Sequence, residues 1–402
     1  MSTKIYNKKN VYEATKERIS IIFDNFSKIY VSFSAGKDST TMLHMVMDEA
    51  IKRNRKVAVM LIDLEGQYKI TIEHARKCFD MYKNNIEKYW ICLPIHLRNA
   101  VSNYEPQWTC WDKDLKKDWI RDMPEEAISD EKYFNFFRKN MEFEEFVPEF
   151  GEWYSKGEKT ACFVGIRTDE SLNRFRTIAN NKKMTFNDLK YTTKVSEKVY
   201  NVYPIYDWSV SDIWHYHYLN PHKPYNTLYD YMHKAGLTPS QMRICQPYGD
   251  DQRRGLWLFH ILEPETWFKV VARVNGANSG ALYIEETGNI NGYNKITKPN
   301  NHTYKSFANL LLKSLPKTTQ KHFIERFKVF LKWWHKRGYP NGIPDEAPYI
   351  LEAKRIVPSW RRICKCLLRN DYWCKGLCFT QPTSSAYKKY LDLKEHRKII
   401  ND

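Results

Sequence analysis

The stretch Ile29-Tyr-Val-Ser-Phe-Ser-Ala-Gly-Lys-Asp-Ser-Thr40 decides the fold of this chain. It begins with a β-branched and aromatic run, which predicts a buried strand, and Ser34, Ala35 and Gly36 then break the run. From Ser39 onward the residues continue at helical spacing. A strand that leads through a turn of small residues into a helix directs backbone N–H groups and the positive helix end at one point. That geometry predicts a phosphate-binding turn.

The turn differs from a Walker A loop, which has two glycines separated by four residues and a lysine followed by Ser or Thr. Here Val31 stands where the first glycine would be, and Asp38 follows the lysine. We expect Lys37 to neutralise bound phosphates and the backbone around Gly36 to donate N–H groups to them. Because a carboxylate beside phosphates is a hard oxygen ligand, we also expect Mg²⁺ on Asp38. Lys37 and Asp38 are the predicted catalytic residues.

Strands and helices alternate after the turn, which predicts a doubly wound, mostly parallel α/β sheet. A helix is expected at 10–26, and the predicted strands after the first lie at 56–62, 89–94, 160–166 and 198–205. A segment rich in aromatic and charged residues interrupts the pattern at 99–159 and is interpreted as a helical insertion.

The alternation ends near residue 235, and the remainder of the chain is mainly helical, basic and rich in tryptophan. We therefore predict a nucleotide-binding α/β domain at 1–235 and a helical, basic domain at 236–402. The clearest amphipathic helix of the second domain is expected at 321–334.

Polar residues follow two further strands of the predicted sheet. Asp63 and Glu65 come directly after the second strand, and Gly165, Arg167 and Arg174 follow a later one. Ligands of doubly wound sheets bind at the carboxyl ends of the strands, so these loops are expected to converge with the turn. The carboxylates would bind a ribose hydroxyl, an adenine amino group or the metal. The arginine forks suit a phosphate or a sulfate, although each arginine alone can also be a solvated surface charge.

Three segments resemble those of one family. The turn is similar to the PP-loop Ser-Gly-Gly-x-Asp-Ser of N-type ATP pyrophosphatases and of the phosphoadenosine phosphosulfate (PAPS) reductase family, with Ala35 in place of the first glycine. The stretches Gly165-Ile-Arg-Thr-Asp-Glu-Ser171 and Tyr203-Pro-Ile-Tyr-Asp-Trp-Ser-Val-Ser-Asp-Ile-Trp214 resemble two further motifs of that family, in the same order. The resemblance implies that the loop holds the β,γ-pyrophosphate of ATP or equivalent groups of PAPS. The predicted nucleotide-binding residues are Ser34, Ala35, Gly36, Lys37, Asp38, Ser39, Asp63, Glu65, Gly165, Arg167 and Arg174.

The C-terminal part resembles a branch of the family that carries a domain of unknown function. This resemblance rests on segments such as Cys245–Leu256 and Trp360–Cys364. The branch includes co-activators of prophage gene expression of the immunoglobulin-binding regulator type, which often stand beside a ParB-like partner. Within the first segment, Gln252–Arg254 is expected either to cover the nucleotide or to begin a helix with a solvated basic face.

Three functions follow from these observations. We expect an enzyme that binds ATP and transfers its adenylyl group to an unidentified acceptor, with release of pyrophosphate. The alternative is a nucleotide-dependent regulator that acts with a ParB-like partner and DNA. PAPS reduction is less expected, because the segment Lys394–Asp402 lacks the Glu-Cys-Gly-(Leu/Ile)-His sequence that true reductases share.

Charge and composition narrow the cellular setting. The formal net charge of +17 favours polyanionic partners such as a nucleotide, a nucleic acid or an acidic protein, although a basic solvated surface without a partner is the alternative. No window approaches 18 consecutive apolar residues, and the first ten residues lack an apolar core, so we expect a protein that is neither secreted nor membrane-bound. Nine scattered cysteines favour a reducing cytoplasm.

Four cysteines near the C-terminus form a separate candidate site. Cys364, Cys366, Cys374 and Cys378 lie within fifteen residues and would supply four thiolates to Zn²⁺ or an iron–sulfur cluster. Their spacing matches neither the common Cys-x₂-Cys pairs of zinc sites nor the ferredoxin runs. Packing of these side chains in a helical core is the competing interpretation.

Overall fold

The computed structural model describes residues 8–102, 105–238, 242–249, 257–274, 296, 298–315, 317–369 and 371–379. Its centre is a six-stranded sheet with the strand order β3-β2-β1-β6-β8-β7, beside a separate hairpin of β4 and β5. The strands are β1 (Lys28–Ser32), β2 (Val57–Ile62), β3 (Ile86–Ile91), β4 (His96–Arg98), β5 (Gln107–Thr109), β6 (Thr160–Val164), β7 (Thr192–Lys194) and β8 (Val199–Val202).

The sheet is parallel except for the edge strand β7, which pairs antiparallel with β8. β1 lies at its centre, where Val31 is in register with Val59 of β2 and with Phe163 of β6. The chain runs outward from β1 through β2 to β3 and then crosses to β6 on the other side. The predicted doubly wound sheet is thus confirmed, and the C-terminal end of β1 lies where the strand order reverses.

Helices cover the sheet and form the C-terminal region. Their bounds are α1 (Val11–Asn25), α2 (Lys37–Lys52), α3 (Lys69–Met81), α4 (Phe143–Ser155), α5 (Leu172–Ala179), α6 (Val210–Leu219), α7 (Leu228–Lys234), α8 (Trp257–Leu262), α9 (Pro264–Arg273), α10 (Tyr304–Lys313), α11 (Lys317–His335), α12 (Tyr349–Ala353) and α13 (Trp360–Leu368). Every residue of β2 is buried, as expected for a parallel strand that is covered on both faces. Several helices begin after a residue whose side chain caps them. The Asn10 side chain, for example, accepts a hydrogen bond from the Glu13 amide at 2.8 Å.

The insertion predicted at 99–159 is less helical than expected. It contains one α-helix, α4, and a short 3₁₀ turn at Lys113–Asp118, and turns connect them. Its aromatic side chains pack on one another, with Phe134 at the centre of a cluster that includes Phe146, Phe150 and Trp153. Burial of these rings, rather than local helix propensity, holds the segment against the sheet.

The described residues form two hydrophobic cores. The first belongs to the α/β sheet but also includes side chains as late as Tyr248, Trp267 and Val274, so residues beyond the domain boundary predicted at 235 pack with the sheet. The second core lies among α10, α11 and α13 and the segment that follows. None of the helices in the described part of the chain combines the length and apolar character that a membrane span requires. Gln252–Arg254 and residues 380–402 of the predicted second domain lie outside the described residues.

Candidate nucleotide-binding site

The turn after β1 is held in shape by its own hydroxyls and by a distant side chain. The Ser34 and Ser39 hydroxyl oxygens lie 3.0 Å apart, and the Ser39 hydroxyl donates to the Gly36 carbonyl at 3.1 Å. Ala35 has a φ of +58°, a left-handed conformation that glycine adopts more easily. Its carbonyl accepts a hydrogen bond from the Asn226 side chain at 3.1 Å, which ties the strained residue to the segment before α7. The turn is therefore a fixed structure.

The first turn of α2 begins at this point. Gly36 is the residue before the helix, and it provides no side-chain hydrogen bond to the helix start. The amide of Lys37 donates to the Tyr229 hydroxyl at 3.3 Å. Such a helix start satisfies its amides with water or with an anionic ligand, and the helix dipole favours the anion.

Gly165 allows the end of β6 to approach α2 closely. A Cβ atom at this position would lie 2.8 Å from the Ser39 Cα atom and 3.2 Å from the Asp38 carbonyl carbon. Only a glycine therefore fits between the strand end and the first turn of the helix. This contact brings the loop that contains Arg167 beside the phosphate-binding turn.

Three charged side chains form a chain at the turn. One Asp38 carboxylate oxygen accepts from Arg167 Nε at 2.5 Å, and the other lies 3.0 Å from Lys37 Nζ. Arg167 is buried, and its Nη1 also donates to the Trp208 carbonyl at 3.4 Å. Burial lowers the pKa of Lys37, and the positive charges of Arg167 and Arg243 lower it further. The negative charge of Asp38 raises this pKa but does not outweigh the other effects. Two cations and one carboxylate leave a net positive charge, which suits a phosphate.

A segment from beyond the predicted domain boundary covers this site. The Ile244 side chain lies 3.5 Å from the Cβ position of Gly36, and Pro247 packs within 3.0 Å of that of Gly66 in the loop after β2. The segment 242–249 thus contacts two of the predicted loops and supplies Arg243. The sequence suggests a cover over the nucleotide only at Gln252–Arg254, which lies outside the described residues, and it does not single out residues 242–244, because no local pattern links them to a turn two hundred positions earlier.

At the rim of the site, the carboxylate of Glu170 lies between two arginines. Glu170 forms ion pairs with Arg174 and, at 3.9 Å, with Arg243. Its carboxylate also accepts from the Arg167 amide at 3.2 Å. Arg174, which was predicted as a nucleotide ligand, is thus positioned at the rim through Glu170, and its contact with a nucleotide stays a prediction.

Asp63 and Glu65 lie at the same sheet edge, but their carboxylates are occupied by protein donors. Asp63 is fully buried and accepts from Trp90 Nε1 at 2.9 Å, from the Glu65 amide at 3.0 Å and from Arg121. Glu65 is also fully buried and pairs with Arg273 at 2.9 Å. These contacts bind the insertion and α9 to the sheet. Both residues thus have a structural role, and their predicted contact with a nucleotide stays a prediction.

Each oxygen of Asp38 has a cationic partner in the structure. A magnesium ion on Asp38 would therefore have to displace one of these partners, and nucleotide phosphates and water would supply most of its other oxygen ligands. Across the described residues, no group of three or more His, Cys, Asp or Glu side chains is arranged to hold a metal ion. Magnesium on Asp38 stays a prediction, since an ion that shares the phosphates of a nucleotide needs only one or two protein carboxylates.

The same finding includes the four cysteines of the predicted metal site. Cys364 donates from its thiol to the Tyr304 carbonyl at 3.0 Å, and Cys378 lies 3.8 Å from Arg362. Cys366 and Cys374 are neighbours in the second core, where burial raises the pKa of the Cys366 thiol well above its ordinary value. The thiols thus point to different surroundings, and packing in a core describes three of the four, since Cys378 is exposed.

Buried neutral histidines support the helix that follows the turn. His74 Nε2 lies 2.9 Å from the Thr40 hydroxyl, and His217 Nε2 lies 3.0 Å from that of Thr41. Burial lowers the pKa of His74 to about 3 and that of His217 to about 4, and it also lowers the pKa of the neighbouring His44 to about 3. All three are therefore uncharged at neutral pH.

Family comparison agrees with the motifs. A family model described as the phosphoadenosine phosphosulfate reductase domain matches residues 28–235, which is more than half of the chain. The chain belongs to the phosphoadenosine phosphosulfate reductase family. A second model, a domain of unknown function (DUF3440), matches residues 236–343 and 339–388. The resemblance inferred from the sequence is thus confirmed.

Two relatives of this family member differ in how much they share with it. The uncharacterized protein YbdN of Escherichia coli (strain K12) is 41% identical over 384 residues, which cover 95% of this chain and 93% of YbdN. The uncharacterized protein MJ0973 of Methanocaldococcus jannaschii is 24% identical over 294 residues, 64% of this chain and 60% of that protein.

Solved structures are more distant. PAPS reductase from Candida auris, in a phosphate complex, aligns with 57% of this chain and 94% of its own at 16% identity and a TM-score of 0.31. FMN adenylyltransferase of Candida glabrata, in complex with FAD and inorganic pyrophosphate, aligns with 57% of this chain and 64% of its own at 16% identity and a TM-score of 0.33. At this level of similarity, the two structures carry no argument about substrate or reaction.

Proposed function

We propose that the protein binds ATP at the turn Ser34–Ser39 and transfers its adenylyl group to an acceptor, with release of pyrophosphate. The observation that carries this proposal is the start of α2, which has no side-chain cap. Ion pairs join Lys37, Asp38 and Arg167 there, beside the close-packed Gly165. Backbone amides and two cations at one point favour a group with several negative charges over a neutral ligand.

The proposed reaction is a displacement at the α-phosphorus. An oxygen nucleophile of the acceptor forms a new bond to this phosphorus, while the bond to the oxygen that bridges the α- and β-phosphorus atoms breaks. That bridging oxygen leaves with pyrophosphate, on which negative charge develops. The amides of the turn and the ammonium of Lys37 stabilise this charge, and Arg167 holds Asp38 so that the ammonium stays at the turn. A carboxylate or sulfate acceptor needs no general base.

Product analysis tests the proposal. The purified full-length chain is incubated with ATP and its accompanying Mg²⁺, alone and with a cell extract depleted of protein as the source of acceptor, and the nucleotides are separated by anion exchange. AMP or an adenylylated product together with pyrophosphate is the expected result, and it should be lost in Lys37→Met. Formation of ADP and phosphate, or no turnover with both preparations, would contradict adenylyl transfer.

A nucleotide-dependent regulator that acts with DNA and a ParB-like partner is the second candidate. What favours it is the basic surface of α11, described below, together with the net charge of +17. In this case ATP would bind and remain intact, and retention on DNA would change with the nucleotide. Nucleotide binding without turnover, combined with such a change, would replace the enzymatic proposal.

PAPS reduction is the third candidate, and one cysteine bears on it. Cys245 is exposed and lies close enough to Tyr229 and Tyr68 to influence the charge of both side chains. Tyr229 in turn contacts the Lys37 amide. The test is to incubate the protein with PAPS, with and without a dithiol. Conversion to adenosine bisphosphate and sulfite that requires the dithiol, and that the Cys245→Ser variant does not catalyse, would favour this function over adenylyl transfer. The expected result is no such conversion.

A further inference from the structure

Helix α11 has an apolar face and a cationic face. Phe323, Phe327 and Phe330 are buried in the second core. The opposite face carries a row of exposed lysines four or seven residues apart, a spacing that places them on one side of a helix. The lysine row consists of Lys317, Lys321, Lys328, Lys332 and, just after the helix, Lys336.

Within the described residues, no acidic side chain forms an ion pair with the lysine row. Glu325 is the one acidic residue of α11, and it forms no ion pair with these lysines within the described part of the chain. At 1.5 Å per residue, the nineteen positions from Lys317 to Lys336 span about 28 Å. Unpaired like charges repel one another, so a row of this length is stabilised by a polyanion along it.

The row leads into a cavity that also contains aromatic rings. The cavity has a volume of about 650 Å³, and Lys305, Lys332, His335, Tyr339 and Trp360 are among the residues that line it. Lys305 Nζ lies 5.7 Å from the centre of the Trp360 ring. A cation and a flat ring in one recess suit a ligand that is both anionic and aromatic.

Asp345 is the acidic residue that lines this cavity, and its carboxylate accepts hydrogen bonds from backbone amides. Its two carboxylate oxygens accept hydrogen bonds from the amides of Tyr304 and Lys305, each at 2.9 Å. It stabilises the start of α10 in this way. The cationic side chains of Lys305 and Lys332 therefore determine the charge that the cavity presents.

We propose that the lysine row and this cavity together form a binding site for single-stranded nucleic acid. Phosphates of the strand would lie along the lysines, and an unpaired base would enter the cavity and stack beside Trp360. Aromatic platforms combined with a cationic track are the general device for binding single strands. The bases of a duplex are stacked inside it and cannot reach a recessed ring, and an acidic protein would use the lysines without the ring.

The proposal predicts a defined salt dependence. For a single strand that contacts five lysines, the logarithm of the binding constant should fall with the logarithm of the salt concentration with a slope of about −3.5, since each neutralised phosphate contributes about −0.7. Binding should therefore weaken about 50-fold when the salt concentration rises threefold. The double variant Lys328→Gln/Lys332→Gln should reduce the magnitude of the slope to about 2 and weaken binding roughly tenfold at low salt.

Fluorescence anisotropy with labelled 20-nucleotide probes tests this inference on the full-length chain. Single-stranded RNA or DNA of mixed sequence should bind at least tenfold more tightly than the duplex of the same sequence. The matched control is Lys52→Gln/Lys83→Gln, which removes the same charge from exposed lysines of the α/β region and should change neither affinity nor slope. Among ring variants, Trp360→Phe should retain binding better than Trp360→Leu, with folding checked by circular dichroism.

Several results would overturn the proposal. Equal or tighter binding of the duplex would assign the row to double-stranded DNA, and tighter binding of polyglutamate would assign it to an acidic protein. Wild-type affinity in the Lys328→Gln/Lys332→Gln variant, or absence of binding at low salt, would remove the site altogether. None of these results affects the proposed adenylyl transfer, because the nucleotide site and the lysine row share no residues.

Discussion

Substituting Gly165 by alanine tests how the sheet edge builds the phosphate-binding turn. The new Cβ would lie 2.8 Å from Ser39 Cα and 3.0 Å from Ser39 N, whereas ordinary contacts begin at 3.4 Å. The strand end and the helix must therefore separate by about 0.6 Å, the difference between 3.4 and 2.8 Å. Both neighbours are backbone atoms and cannot move aside by a change of rotamer. Overpacking of this kind costs about 1–3 kcal/mol in the free energy of unfolding.

Urea unfolding followed by circular dichroism measures this cost, and a titration with ATP measures its effect on the site. Displacement of the first turn of α2 should weaken ATP binding about tenfold, which corresponds to about 1.4 kcal/mol. Gly36→Ala is the matched control for stability, because its Cβ would meet other atoms no closer than 3.5 Å and its φ is −83°. Gly165→Ala with the stability and ATP affinity of the wild type would refute the reasoning.

Three further predictions follow from the site and its surroundings. Lys37→Met should weaken ATP binding at least tenfold in a calorimetric titration, because a charged hydrogen bond to a phosphate contributes about 1.5–3 kcal/mol, whereas Lys52→Met at the other end of the same helix should bind normally. The folded-state pKa values of His44, His74 and His217 lie below their unfolded value, so their contribution to stability is complete above pH 6.5 and is lost as the pH falls from there toward 4 and 3. Urea unfolding should thus show a free energy about 4 kcal/mol lower at pH 5.5 than at pH 7.5, roughly 1.4 kcal/mol for each histidine, and equal stability at the two values would contradict their burial as neutral groups. Elemental analysis of the purified protein should find less than about a tenth of an equivalent of zinc and iron, since no three of the four thiols come together, and a full equivalent would restore the four-cysteine site.

Local sequence pattern was sufficient for the architecture around the turn. The buried run at 29–33, the small residues after it and the helical spacing beyond Ser39 are signals that each act within a few residues. β1 and α2 form where these signals place them, at Lys28–Ser32 and Lys37–Lys52. The alternation of strands and helices also predicted the doubly wound sheet, although it did not predict the strand order.

The pairing of charges across the fold could not be predicted in the same way. Asp63 and Glu65 have the sequence position of ligand-binding residues, but Arg121 and Arg273 reach them from the insertion and from α9. These partners are 58 and 208 positions away, so no local pattern links them. Burial then decides the role, since a buried carboxylate needs a partner of opposite charge.

The geometry of α13 shows why the spacing of the cysteines does not by itself indicate a metal site. Cys364 and Cys366 lie two residues apart on α13, and helix positions two apart point about 200° away from each other. Spacing in the sequence suggested a ligand set, whereas the helix directs one thiol to the Tyr304 carbonyl and the other toward Cys374. The helix had to be known before the spacing could be interpreted.

Hydrogen–deuterium exchange of the full-length chain, with and without ATP, tests the central claim most directly. Nucleotide bound through the backbone amides of the turn should protect residues 34–40 and the loop at 165–167. The cavity lined by Lys305, Lys332 and Trp360 should show no such change. Protection confined to that cavity, or no protection at 34–40 at saturating ATP, would contradict the account of this turn as a phosphate-binding site.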